Sequence, residues 1–171
     1  MYLDIVILSH LQRGPMHGYE LKRNVAETTA FALHNNTLYP ALRRFEEAGA
    51  VTKTAEQQEG RPPRHVYALT DIGRELLHDM LADLPPELAG DESEFLTRVG
   101  QFEQLTPDER RRVLASRAQA LRARAEHMRQ LAQKTERSVH HRHWGSVVVA
   151  ELAGRIEREL AWIGRLTDDV G

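Results

Sequence analysis

The stretch from Asn35 to Gly49, NNTLYPALRRFEEAG, limits the fold more than any other. Leu38, Leu42 and Phe45 recur at steps of four and three, with Ala41 and Ala48 beside them, so a helix gathers them into one buried stripe. Thr37 is the expected N-cap, because Pro40 then falls within the first turn, where its missing N–H leaves no intrahelical bond unmade. Gly49 supplies the left-handed residue that ends the helix.

The outer face of this helix carries Tyr39, Pro40, Arg43 and Arg44 in its first half, and Glu46 and Glu47 in its second. A positive helix N-terminus, a phenolic hydroxyl and two guanidiniums suit phosphate oxygens and base edges, whereas two carboxylates are repelled by them. The first half is therefore the part expected to approach a nucleic acid. A plain surface helix with an Arg43–Glu47 i,i+4 pair has the same composition, so the flanking sequence decides between the two.

No apolar run approaches the roughly 18 residues needed to cross a bilayer, and the N-terminus has neither a basic run nor a small-residue cleavage site. A cytoplasmic protein is expected. The absence of cysteine removes disulfides, thiolate metal sites and cysteine nucleophiles. With a net charge of -2, any affinity for nucleic acid has to come from local clusters of Lys and Arg.

Upstream, residues 2–12 form an apolar helix in which Leu3, Val6, Ile7 and Leu11 share a face widened by Ile5 and Leu8; it lies deep in a domain or assists a dimer contact. Gly14-Pro15 breaks the chain, and a second helix follows over about 17–28, with Leu21 and Val25 inward and Lys22 and Arg23 outward. The connection from Thr29 to Asn36 is long for a helix-turn-helix, with Phe31 and Leu33 expected to pin it to the core. Downstream, Val51, Thr52 and Thr54 read as one strand and residues 65–69 as another, with a polar loop from Ala55 to Arg64 between them. In that loop Pro62 and Pro63 stiffen the tip and present Arg61 and Arg64, as in the wing of a winged helix. Thr70 caps a further helix with Leu76, Leu77 and Met80 on its apolar side, ending near Leu84. Pro85-Pro86 and Gly90 mark a linker, which gives a first domain over 1–84, a linker over 85–91 and a second domain over 92–171.

Three blocks in fixed order, GPMHGYELK (14–22), TLYPALRRFEEAG (37–49) and GRPPRHVYALTDIGREL (60–76), resemble the PadR family of transcriptional regulators. The resemblance implies a winged helix-turn-helix DNA-binding domain followed by an antiparallel helical dimerisation domain, mainly α with a small β-hairpin wing. It also implies a homodimer, usually a repressor, released by a small-molecule effector or by a change in dimer geometry. By motif match Tyr39 meets the DNA backbone, Arg43 or Arg44 lies near bases, and Arg61 and Arg64 reach flanking DNA. Thr37, Pro40 and Lys22 complete the candidate DNA-binding set. Asn36 stands where the family commonly has Gly or Ser; Asn tolerates a left-handed backbone well, so the turn survives.

In the second half, Phe95, Leu96, Val99 and Phe102 define an amphipathic helix over about 92–104. Thr106-Pro107-Asp108-Glu109 starts a long helix, running to about Val139, with a capping Thr, a Pro at the first position and a Glu three residues after the cap. Along it Leu114, Ala118, Leu121, Ala125, Met128 and Ala132 make a heptad-like seam, and the last helix offers Leu152, Ile156, Leu160 and Ile163. The expected partner of this seam is a second subunit, with packing inside one chain as the alternative. Phe95, Phe102, Trp144 and Trp162 are candidates to line an effector cavity, although aromatic residues are more often core. His140, His141 and His143 have no carboxylate at ligand spacing and read as a solvated corner, so neither metal nor cofactor is assigned.

The reading that joins these features is a homodimer whose recognition helices enter successive major grooves of a pseudo-palindrome, about 34 Å apart. A winged-helix module that binds protein and not DNA is the alternative, favoured by the acidic total and by Glu46 and Glu47. The chain has no phosphate-cradling glycine loop, nucleophile elbow or paired-histidine metal motif, so it does not read as an enzyme.

Overall fold

The computed structural model describes residues 1–29, 33–58, 61–136 and 143–170, and for 58, 61–63, 134–136 and 143 it describes the backbone alone. They form two compact units, Met1–Leu81 and Ala82–Gly171. The first holds α1 (Tyr2–Leu11), β1 (Met16–His17), α2 (Gly18–Thr28), α3 (Asn35–Glu47), β2 (Val51–Gln58), β3 (Arg61–Leu69) and α4 (Asp71–Ala82). Three strands make one antiparallel sheet in the order β1-β3-β2.

Helix α1 is apolar on all sides because it is buried on all sides, from Ile5 through Leu11, and it packs on α2 and β3. The interior position holds, and these residues are covered within the chain. His10 shares that burial. Its Nδ1–H donates to the Val6 carbonyl at 2.7 Å, and Nε2 lies 2.8 Å from the Thr28 hydroxyl, which ties α1 to the end of α2. Helix α2 begins with a capping box, in which the His17 backbone N–H donates to the Glu20 carboxylate at 2.8 Å.

Helix α3 starts two residues before its expected cap. The N–H groups of Thr37 and Leu38 both donate to the His34 carbonyl, at 3.0 and 2.9 Å, so Thr37 already lies in the helix and His34 is the extended residue before it. Pro40 consequently sits in the second turn, and the carbonyl of exposed Asn36 loses the donor that residue 40 would otherwise provide. The C-terminus follows expectation. Gly49 has φ +71°, its N–H donates to Glu46 O at 3.0 Å, and the Ala50 N–H donates to Phe45 O at 2.8 Å, which closes a Schellman motif.

The strands depart from expectation in two ways. Met16–His17, too short to read from periodicity, adds a third strand by pairing with Val66 and Tyr67. The segment taken as a loop, Ala55 to Arg64, is mostly ladder, since Ala55 faces His65, Glu56 faces Arg64 and Gln58 faces Arg61. The register shifts between Glu56 and Gln58, so Pro62 and Pro63 together oppose Gln57. Proline cannot donate to a ladder, and a bulge is where a strand tolerates it. The prolines therefore stiffen a strand and not a loop tip.

Helix α4 is capped as predicted but ends at Ala82, two residues short of Leu84. The Thr70 hydroxyl accepts the Gly73 N–H at 3.1 Å and donates to the Gly49 carbonyl at 2.7 Å. Gly73 is obligatory at this contact, because a Cβ there would stand 2.1 Å from the Ala50 carbonyl oxygen.

In the second unit Asp91 caps α5 (Glu92–Val99) by accepting from the N–H groups of Ser93 and Glu94. The predicted helix over 92–104 is broken: it stops at Gly100 and resumes as a 3₁₀ turn over Phe102–Gln104, whose Phe102 carbonyl accepts from Arg110 Nε at 2.7 Å. Its buried side also differs. Phe95 is inside, but Leu96 is 42% exposed, and Glu94 and Arg98 are buried as an ion pair at 2.8 Å. Arg98 further donates to the carbonyls of Asp83 and Glu94, so the charge enters with hydrogen bonds made. Helix α6 (Pro107–Glu136) has the predicted Thr106–Glu109 capping box and packs against α7 (His143–Asp169). Arg117 joins them with a bidentate pair to Glu159 at 2.7 and 3.1 Å and also donates to the Ala89 carbonyl. Of the seam, Leu114, Ala118, Leu121, Ile156 and Ile163 are buried within the chain, while Ala125, Met128, Ala132, Leu152 and Leu160 are half-buried.

Burial holds the His10 pKa below the ordinary 6.5. The unfolded chain takes up this proton more readily than the folded one, so the stability His10 contributes is complete above pH 6.5 and is lost as pH falls through its folded value. Urea midpoints between pH 7.5 and 5 should fall less in His10→Gln than in the parent chain.

Candidate nucleic-acid interface

On α3 the buried residues Leu38, Ala41, Leu42 and Phe45 define an inside, and the remaining positions divide into an outward line and two flanks. Asn36, Pro40, Arg43 and Glu47 point away from the core, all exposed. Tyr39 and Glu46 lie on one flank, and Thr37 and Arg44 on the other.

The flanks are held by neighbouring elements. Tyr39, 42% exposed, lies over Gly18 at the start of α2, where an added Cβ would approach its ring to 3.0 Å and its hydroxyl to 3.1 Å. On the opposite flank Arg44 donates to Asp4 of α1 at 2.6 Å and stands 5.2 Å from the Phe45 ring. Arg44 is thus turned toward α1, which distinguishes it from Arg43. Among the described residues Arg43 has no ion pair or hydrogen bond, and it remains exposed. Lys22, expected on the outer surface, donates to Asn35 Oδ1 at 2.9 Å and pins the first residue of α3 to α2. Thr37 is half-buried.

The wing approaches the same end of α3. Arg64 is exposed, with its guanidinium 5.5 Å from the centre of the Tyr19 ring, and Tyr19 stacks on His17 at 5.5 Å and 12°. The His17 Nδ1–H donates to the His65 carbonyl at 3.1 Å, and its Nε2 is 3.5 Å from Glu56. Arg61 occupies a strand position opposite Gln58, and its side chain lies outside the described residues. His17, Gly18, Tyr19, Tyr39, Arg64, His65 and Tyr67 together line an open depression of about 400 Å³. Burial, with Tyr39 and Glu46 nearby, holds the Tyr67 phenol above its ordinary value of 10.0, so it stays neutral. Sequence reasoning did not single out His17, Tyr19, His65 and Tyr67, because the strand that assembles them has only two residues.

The four effector candidates are not all brought together. Phe95 meets Trp162 edge to face at 5.9 Å, with Arg117 over the Phe95 ring at 5.4 Å. Trp144, 76% exposed, is on the same helix as Trp162 and about 27 Å from it at 1.5 Å rise per residue, so one chain cannot close a single cavity around both. Phe102 is half-buried in the 3₁₀ turn. Of the histidine group, residues 140 and 141 and the side chain of His143 lie outside the described residues. Among the described residues no cluster suits a metal, and no helix is long and apolar enough to cross a membrane.

Because only a ring tip opposes a methyl group at position 18, Gly18→Ala should move the Tyr39 ring without unfolding α2, where alanine is the better helix former by about 1 kcal/mol. The expected result is an unchanged or higher melting temperature with displaced Tyr39 ring resonances.

The model of the Transcriptional regulator PadR-like family matches residues 7–79. The chain is 28% identical over 81 residues to the negative transcriptional regulator PadR of Bacillus subtilis (strain 168), covering 46% of this chain and 44% of that protein. It is 34% identical over 74 residues to an uncharacterised 37.1 kDa protein in transposon TN4556 of Streptomyces fradiae, covering 43% of this chain and 20% of that one. The chain thus spans less than half the length of either. Among solved structures, a PadR family transcription regulator from hypervirulent Clostridium difficile R20291 is 30% identical, over 60% of this chain and 99% of that one, with a TM-score of 0.42. Through its first unit, the chain belongs to the PadR-like family of transcriptional regulators.

Proposed function

We propose that this regulator binds double-stranded DNA as a homodimer, with the first half of α3 in the major groove and the hairpin β2–β3 along the flanking backbone. The observation that carries the reading is the outward line of α3, where an exposed and unpaired Arg43 stands one turn beyond Tyr39, which shares an open depression with Arg64 of the wing. The helix dipole adds positive potential at the first turn of α3, in a chain whose total charge is -2. Tyr39 contacts phosphate, Pro40 and Thr37 line the groove, and Arg61 and Arg64 reach flanking DNA. Lys22 and Arg44 act by holding α3 in place. The division of labour follows the expected boundaries, with DNA binding in 1–84, a linker over 85–91 and dimerisation in 92–171.

Repression is the sign of regulation proposed, supported by the relative named a negative transcriptional regulator. An effector, in this reading, acts through the second unit beside the Phe95–Trp162 pair, where Arg117, paired with Glu159, lies over the Phe95 ring. The half-buried seam residues Met128, Leu152 and Leu160, with exposed Val147 and Val148 on α7, supply the apolar surface that a second copy covers.

Anisotropy titrations against DNA from upstream of the chain's own gene test the first part. Binding should be sequence-preferring and fall steeply with salt, and Arg43→Glu with Arg64→Glu should weaken it at least about a hundredfold and flatten the salt slope. Equally weak binding to that DNA and to scrambled DNA would point to a protein-recognition module instead.

Sedimentation equilibrium tests the second part. The parent chain should weigh twice 19.5 kDa, and Val148→Asp should shift it toward the single chain at micromolar concentration.

A further inference from the structure

The polar side chains of α3 differ in what they are already doing. Asn35 is held by Lys22, Arg44 by Asp4, and Tyr39 rests over Gly18. On the outward line, Asn36 and Arg43 are exposed, and neither has a hydrogen bond, ion pair or ring contact among the described residues. Pro40 lies between them, and Glu47, the last member, carries the charge that phosphate repels. Two unspent side chains therefore face outward on one line, Asn36 in the first turn, where the helix dipole is positive, and Arg43 two turns further on.

Their chemistry is specific. A carboxamide places one donor and one acceptor side by side, as adenine N6 and N7 require, and a guanidinium forks onto guanine O6 and N7. We propose that Asn36 reads an adenine and Arg43 a guanine in each half-site, an inference that rests on the DNA-binding reading above. The two residues are about 10.5 Å apart along the helix axis, or about three base-pair steps of 3.4 Å. Any tilt of the helix shortens that projection, so the adenine and the guanine lie no more than about three base pairs apart. Pro40 has no polar side-chain atom, and the position between them is read at most through a thymine methyl.

Selection of bound sequences from a random duplex library with the full chain tests this, comparing the parent with Asn36→Ala, Asn36→Gln, Arg43→Ala and Glu47→Ala. The parent should enrich an adenine and a guanine within three base pairs. Asn36→Ala should lose the adenine preference by about fivefold to a hundredfold while keeping the guanine, and Asn36→Gln should restore part of it. Arg43→Ala should relax the guanine alone, and Glu47→Ala should leave the motif intact. All three positions are exposed, and unchanged melting temperatures verify that the four variants fold. An unchanged motif in Asn36→Ala overturns the inference, and so does an equal loss of affinity for every sequence, which marks a phosphate contact. Binding by the parent without any enriched motif overturns it as well and leaves the DNA-binding reading standing. No binding to any duplex removes that reading and the inference with it.

Discussion

The first unit depends on a contact between backbones at the end of α3. The Gly49 carbonyl accepts the Thr70 hydroxyl, the Ala50 carbonyl accepts the Thr70 N–H, and Gly73 closes on Ala50 so tightly that no side chain fits. Three elements meet there: the C-terminus of α3, the first residue of β2 and the first turn of α4. The left-handed Gly49 sends the chain from helix to strand, and Thr70 returns it from strand to helix at the same point. The angle between α3 and the wing is thereby fixed by hydrogen bonds of 2.7 to 3.1 Å and not by side-chain packing alone.

Much of this was legible in the sequence because it is local. Periodicity marked the buried stripe of α3, Gly49 marked its end, and Thr70 and Thr106 marked the starts of α4 and α6. What escaped was set by pairing across the chain. Two residues cannot display a strand period, so Met16–His17 was visible only through its partners on β3. The wing looked like a loop because its polar residues alternate with nothing buried, yet a ladder needs only backbone partners. On α5 the apolar positions suggested Leu96 as interior, whereas Glu94 and Arg98 went inside together because they pair with each other and the carbonyls of Asp83 and Glu94 take Nε and Nη1 donors, while Arg98 Nη2 is buried without a partner among the described residues.

The candidate interface shows the same division. The helix and the hairpin that the sequence marked are both present, but four cationic residues of similar appearance turn out to have different occupations. Lys22 holds the first residue of α3, Arg44 holds α1, Arg64 lies against an aromatic stack, and Arg43 is uncommitted. A one-dimensional reading has no access to this distinction, because each partner lies on another element: Asn35 for Lys22, Asp4 for Arg44 and Tyr19 for Arg64.

The bulge in the wing bears on the behaviour of many copies of the chain at once. A two-stranded ribbon at the edge of a sheet offers unpaired backbone to any other strand. At Pro62 and Pro63 an incoming strand meets two consecutive positions that cannot donate, beside a register that is already shifted. The edge of β3 beyond its pairing with β1 is thereby a poor place for a further strand to add, which leaves β2, the outer strand of the order β1-β3-β2, as the edge open to another strand.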